Sequence, residues 1–186
     1  TVVAFDKRTG KVLWKSIPSE SEPGYSPPVI VENGDRRQLI LWHPRAVYSL
    51  DPSSGRILWQ QPFKVAMGLT VATPAFSGLR LLVSSFYNGS LMLELERDGS
   101  GARVLWKGKS SSEIDSDGLH ALIATPVIDG DYIYGVCSYG QFRCLRASTG
   151  ERVWETLAVT GEKARWATAM IVRHGDRFFI NNDRGE

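Results

Sequence analysis

Four groups of residues have types and spacings that suggest chemistry. Asp115-Ser116-Asp117-Gly118 carries the alternating oxygens that open a calcium loop. Such a loop closes on a bidentate Glu, and the matching position here holds Pro126, so the stretch reads as a solvated loop. Gly108-Lys109-Ser110 has the end of a phosphate-binding loop, yet Arg103 stands where that loop requires a glycine. His43, His120 and His174 lie far apart and lack the spacing of metal ligands. Cys137 and Cys144 flank Gly140-Gln141 symmetrically, and a two-residue turn there sets them opposite each other at a hydrogen-bonded pair. Two buried thiols and a cross-strand disulfide both fit that register. No Gly-x-Ser-x-Gly occurs, and no Ser/His/Asp set suggests itself from spacing. The chemistry-bearing residues therefore form no catalytic set.

The elements that must position these residues come from a repeat. Ala4-Phe5-Asp6-Lys7-Arg8-Thr9-Gly10-Lys11-Val12-Leu13-Trp14 returns as Ser49-Leu50-Asp51-Pro52-Ser53-Ser54-Gly55-Arg56-Ile57-Leu58-Trp59 and as Cys144-Leu145-Arg146-Ala147-Ser148-Thr149-Gly150-Glu151-Arg152-Val153-Trp154. A looser copy runs over residues 93–106, and Trp14, Trp59, Trp106 and Trp154 stand 45, 47 and 48 residues apart. In each copy a strand ends on a small and an apolar residue, Ser/Thr-Gly turns the chain, and an apolar strand closes on Trp. Two further strand-like runs precede each hairpin. Units of four antiparallel strands at this period read as propeller blades, each burying its faces on its neighbours.

The pattern Asp-x-x-Thr-Gly-x-x-x-Trp resembles the repeat of the PQQ-like, quinoprotein-type β-propellers, a family that includes quinoprotein alcohol dehydrogenases and the BamB-like outer-membrane-assembly lipoproteins. The resemblance covers essentially the whole chain. It implies that Trp14, Trp59, Trp106 and Trp154 dock on the glycine turns of adjacent blades, with Gly10, Gly55 and Gly150 as the receiving glycines. The second copy departs from the pattern, because Gly101 stands five residues before Trp106 rather than four. The third has Arg146 in place of the turn aspartate. The expected fold is all-β, a single propeller segment over residues 1–186 with four blade-equivalents, as a closed four-blade ring, as half of an eight-blade dimer, or as part of a seven- or eight-bladed ring. Whole blades are expected at about residues 26–59, 73–106 and 125–154. A split blade joins residues 168–186 to residues 1–14, and an excised piece of a longer propeller is the favoured origin of that split.

Segments 15–25, 60–72, 107–124 and 155–167 lie between the blades, and in the family such segments approach the central channel on one face. That face is expected to carry Tyr25, Thr70, His120, Arg165 and Trp166 as ligand contacts. The resemblance implies a non-catalytic binding or scaffold module of the bacterial periplasm or envelope, with a protein or small ligand at the loop-rich face. The alternative it implies is a PQQ-dependent dehydrogenase, with Trp166 or Trp42 as the floor under the quinone and Asp115, Asp117 or Asp183 supplying oxygens to calcium. The adjacent-cysteine pair of some such enzymes is missing, so no cofactor is expected. Net charge is +2 from 22 basic and 20 acidic residues, without a long run of one sign, which argues against nucleic acid as the partner. No apolar run approaches the length of a membrane span. Open blade edges suggest self-association.

Overall fold

The computed structural model describes residues 1–33 and 36–186, with Asn33 described in its backbone alone. Short runs rich in β-branched, aromatic and other apolar residues, bounded by glycine turns, form strands, and the described residues contain no α-helix. Three sheets are complete. The first holds β3 (Val29–Asn33), β4 (Arg36–His43), β5 (Ala46–Leu50) and β6 (Ile57–Pro62). The second holds β7 (Ala75–Ser77), β8 (Arg80–Ser85), β9 (Gly89–Leu95) and β10 (Ala102–Lys107). The third holds β11 (Val127–Asp129), β12 (Tyr132–Val136), β13 (Phe142–Arg146) and β14 (Arg152–Thr156). Every pairing is between sequence neighbours and antiparallel, which makes each sheet a simple meander. Two two-stranded sheets flank them: β1 (Val2–Phe5) with β2 (Val12–Ser16), and β15 (Ala169–His174) with β16 (Arg177–Asn182).

The core lies between sheets, and the strand pleat explains how. On β8, Leu81 and Val83 face the first sheet, where they join Ile40, Trp42, Val47 and Phe63. Leu82, between them, points the other way and joins Leu119, Ile133 and Leu145 of the third unit. On β9, Leu91, Leu93 and Leu95 take the first side and Met92 the second. A strand buried on both faces has no polar alternation, which is why these runs read as continuously apolar.

The hairpin that carries the repeat is built the same way each time. Gly10, Gly55 and Gly150 donate to the carbonyls of Asp6, Asp51 and Arg146, each at 2.8 Å, with φ of 71°, 72° and 74°. A left-handed backbone of this kind is free for glycine and strained for other residues. Asp6 and Asp51 also accept amide and hydroxyl hydrogen bonds from Thr9 and Ser53, which hold both carboxyls below their usual range. Arg146 lacks that side-chain cap, and its turn closes through backbone bonds and a hydrogen bond from the Glu151 amide to the Thr149 hydroxyl at 3.3 Å. Each hairpin carries a register shift next to the Trp pairing, between Ala4/Phe5, Ser49/Leu50, Val104/Trp106 and Cys144/Leu145.

Two turns are wider than two residues, and the second differs from the expectation for Gly140-Gln141. Asn88-Gly89 ends a three-residue loop between the paired Ser85 and Gly89, and Asn88 Oδ1 accepts from the Ala66 amide of a neighbouring segment at 2.8 Å. The turn before β13 is also wider than two residues, because Val136 pairs with Phe142 and the Cys137 amide donates to Gln141 O at 2.8 Å. Cys144 therefore faces Tyr134, not Cys137, and both cysteines are buried and free.

Candidate functional site

In a meander of this kind the links between sheets and the turns joining the second and third strands of each sheet gather at one end of the strands. The links cover residues 17–28, 63–74, 108–126 and 157–168. Three large residues in them have positive φ: Ile17 at 47°, Met67 at 55° and Trp166 at 75°. Ile17 is buried, whereas Met67 and Trp166 are 71% and 46% exposed. Left-handed backbone at such residues costs about 1–3 kcal/mol and persists only where surrounding contacts hold it.

The contacts around Trp166 are clear. Its indole stacks on the fully buried Phe86 ring, centroids 4.7 Å apart and 18° from parallel. Its amide donates to Ser138 O at 3.1 Å. The Arg165 guanidinium lies 4.5 Å from the Trp166 ring centroid and 5.5 Å from that of Phe86. Glu113 fixes Arg165 through an ion pair of 2.8 Å and accepts from the Tyr139 hydroxyl at 2.8 Å on its other oxygen. That bond pushes the Tyr139 phenol above its usual value. Two links and two turns thus meet in one aromatic and cationic patch, with the Trp166 face partly open to solvent.

The other residues expected on this face are placed differently. Tyr25 is 68% exposed, and its amide donates to Thr70 O at 2.9 Å. Thr70 and His120 are fully buried and present no surface to a ligand, because the links pack down on the sheet ends rather than standing clear of them. His120 Nδ1 lies 3.0 Å from Phe86 O, and Nε2 faces Asp117 Oδ1 at 3.6 Å. Burial lowers the pKa of this imidazole, against the opposing pull of the Phe86 carbonyl and Asp117. Asp117 itself spends both oxygens on backbone amides, accepting from Lys109 at 2.7 Å and Gly118 at 2.9 Å.

Two functional elements escaped the sequence reading. Arg143, 2% exposed on β13, donates to Ser116 Oγ at 2.9 Å and to Gly118 O, and pairs with Glu155 at 2.9 Å. It clamps the 108–126 link, and its only signal was a lone arginine between Phe142 and Cys144. Gln38, also fully buried, accepts from Ser49 Oγ at 2.6 Å and from Trp59 Nε1 at 3.0 Å.

The repeat tryptophans divide. Trp14 Nε1 donates to Pro52 O at 3.1 Å, with its ring over Gly55. Trp106 Nε1 donates to Ala147 O at 2.8 Å, and a methyl group added to Gly150 would come within 2.7 Å of the indole. Trp59 instead donates to Gln38 of its own sheet, and the longer turn of the second sheet sets Gly99 against Gln38 and Arg36. Trp154 is 41% exposed against Tyr134 and Phe142, and Gly10 has open space around it.

Of the two candidate floor residues for a quinone, Trp166 is half-exposed and Trp42 is not available. Trp42 is 1% exposed and stacked with Phe63, which leaves no ring face for a floor. Among the described residues no three acidic, histidine or cysteine side chains lie together as metal ligands, and Asp115, Asp117 and Asp183 supply no such set. Among the described residues no helix is long and apolar enough to cross a membrane.

Residues 1–186 match the family profile described as outer membrane protein assembly factor BamB. The crystal structure of BamB from Moraxella catarrhalis is similar to 98% of this chain and 55% of that one, with a TM-score of 0.60 and 17% identity. The computationally designed Ika4 protein is similar over 96% of each chain, with a TM-score of 0.62 and 10% identity. In sequence, a quinoprotein ethanol dehydrogenase of Pseudomonas aeruginosa is 32% identical over 75 residues, 34% of this chain and 12% of the enzyme. The chain thus spans about half the length of the BamB structure, and its match to the dehydrogenase spans about an eighth of that enzyme.

Proposed function

From the premise that this chain belongs to the BamB-like, PQQ-like β-propeller family, we propose that it is a non-catalytic binding module of the bacterial envelope that holds a protein partner at its loop-rich end. The observation that carries this reading is Trp166, a half-exposed indole held in left-handed backbone by Phe86, Arg165, Glu113 and Tyr139. A rigid aromatic anchor beside an arginine is the combination that dominates protein–protein contacts, since both give large contact area at small entropy cost. The family description names outer-membrane-protein assembly, and this supports a partner in that machinery and a periplasmic location.

The second reading is a part of a quinoprotein dehydrogenase, favoured by the 75-residue match to such an enzyme. Against it stand the dispersed acidic residues and the closed-off Trp42, while Trp166, the other candidate floor, keeps a half-exposed face.

The test of the first reading is site-specific photo-crosslinking of the whole chain expressed in a Gram-negative periplasm. A photoreactive residue at Trp166 should yield an adduct with a component of the outer-membrane assembly machinery. The same group at Lys11, in a hairpin turn at the opposite end of the strands, should yield none. Equal adducts from both positions, or none from Trp166, would overturn the assignment.

A further inference from the structure

A second apolar contact adjoins the Trp166 patch, and the turn over residues 86–88 joins the two. On one side of that turn Phe86 stacks on Trp166 at 4.7 Å, with Tyr87 edge-on to Phe86 at 4.8 Å. On the other side Asn88 Oδ1 accepts from the Ala66 amide at 2.8 Å. Met67 follows Ala66 with φ of 55° and ψ of 21°, and is 71% exposed. Two backbone bonds hold it in that strained conformation, from the Leu69 amide to Ala66 O at 3.2 Å and from the Thr70 amide to Gly68 O at 2.7 Å. Met67 and Trp166, both in left-handed backbone and both exposed, thus flank one turn.

Met67 also edges a groove of about 530 Å³ whose apolar wall is Pro44, Val65 and Met67 itself. The groove forms because the link leaving β6 runs back beside the β4–β5 turn: the Phe63 amide donates to Arg45 O at 3.0 Å and the Val65 amide to Pro44 O at 2.8 Å. Extended backbone sends side chains alternately inward and outward. Phe63 and Val65 are buried accordingly, and Lys64 between them is exposed, as is Arg45. Among the described residues neither Arg45 nor Lys64 is in an ion pair, and Glu22 is the one carboxylate on the groove wall. Across the turn, Lys163 lies 6.0 Å from the Tyr139 ring, while Glu113 is spent on Arg165 and Tyr139. The two apolar contacts are therefore bordered by an excess of positive charge.

We propose that this surface docks an acidic, amphipathic segment of a protein partner, with one apolar side chain on the Trp166 indole, a second in the Met67 groove, and carboxylates against Arg45 and Lys64. The two contacts lie on opposite sides of the 86–88 turn, so an occupant must span that turn, which favours a polypeptide over a small amphiphile. Methionine suits the second contact, because its unbranched thioether adapts to the shape it meets. The cations select against basic partners more than they add affinity. The proposal rests on the reading of the loop-rich end as a partner surface, and it adds the partner's chemistry and a second contact.

The test titrates the whole chain into fluorescent synthetic peptides and follows anisotropy. A peptide of alternating leucine and aspartate should bind saturably and lose affinity as salt rises, and its counterpart with lysine for aspartate should not bind. Met67→Gly, a change to the residue that takes left-handed backbone freely, should weaken the acidic peptide about tenfold, as should Trp166→Ala, with circular dichroism unchanged. Arg45→Glu with Lys64→Glu, both at exposed positions, should reverse the preference in favour of the lysine peptide. Equal binding of both peptides, or of neither, would overturn the acidic partner even where Trp166 crosslinks as expected. Loss in Trp166→Ala alone, with Met67→Gly and the double variant unchanged, would overturn the second contact and leave the anchor standing. Loss in those variants with Trp166→Ala unchanged would overturn both the joint surface and Trp166 as anchor.

Discussion

His120 shows how one residue ties folding to pH. Its imidazole is fully buried, receives no counter-charge closer than Asp117 at 3.6 Å, and is pushed below its ordinary pKa mainly by burial. A histidine whose folded pKa is depressed stabilises the fold fully above its unfolded value of about 6.5 and loses that contribution as pH falls through the folded value. The chain should therefore unfold at lower urea as pH drops from neutrality to about 5, because the unfolded state takes up the proton more readily. His120→Gln should flatten that dependence even if it lowers stability at neutral pH. An unchanged slope in the variant would move the pH effect to other groups. The sequence offered His120 as a lone histidine in a link, and its chemistry was legible only as far as residue type. Its burial depends on how the link packs over Phe86, which local pattern does not encode.

At the scale of elements, the hairpins closing on Trp14 and Trp106 reach a neighbouring sheet, whereas Trp59 bonds within its own. Trp106 lies on Gly150 with its N–H satisfied by Ala147, whereas Trp154 occupies the same repeat position with 41% of its surface exposed. Trp106→Ala should cost about 3 kcal/mol, the low end of the range for truncating a packed aromatic ring, and Trp154→Ala less than about 1 kcal/mol. Chemical denaturation of the two variants checks this, and equal losses would contradict the contacts drawn here. Strand order, hairpins and repeat were legible because short apolar runs and Ser/Thr-Gly turns are local signals. Loop width was not: Asn88-Gly89 has the sequence of a two-residue turn, yet the Asn88 side chain is engaged by Ala66 from another segment. The role of Gln38 escaped for a similar reason. It follows from the longer turn over residues 96–101, which sets Gly99 rather than a shorter glycine turn against the first sheet.

At the scale of the molecule, five sheets stand side by side with their interfaces filled by the two faces of each strand. The links that join them converge at one end, and there the chain keeps Trp166 half-exposed at a cost in backbone strain. Fold and family were legible from the repeat, while the patch was legible only in part. Arg165 and Trp166 were anticipated on that face, but Glu113, Phe86 and Tyr139 come from three other segments that only the folded chain brings together. The same links bury Thr70 and His120, which removes them as ligand contacts. Partner binding at this end without quinone chemistry is the proposed function. The most direct test is a titration of the whole chain with pyrroloquinoline quinone in the presence of calcium, following tryptophan fluorescence and dye-coupled alcohol oxidation together. The account predicts no saturable, calcium-dependent quenching and no turnover. Saturable quenching that requires calcium, accompanied by alcohol oxidation, would contradict it.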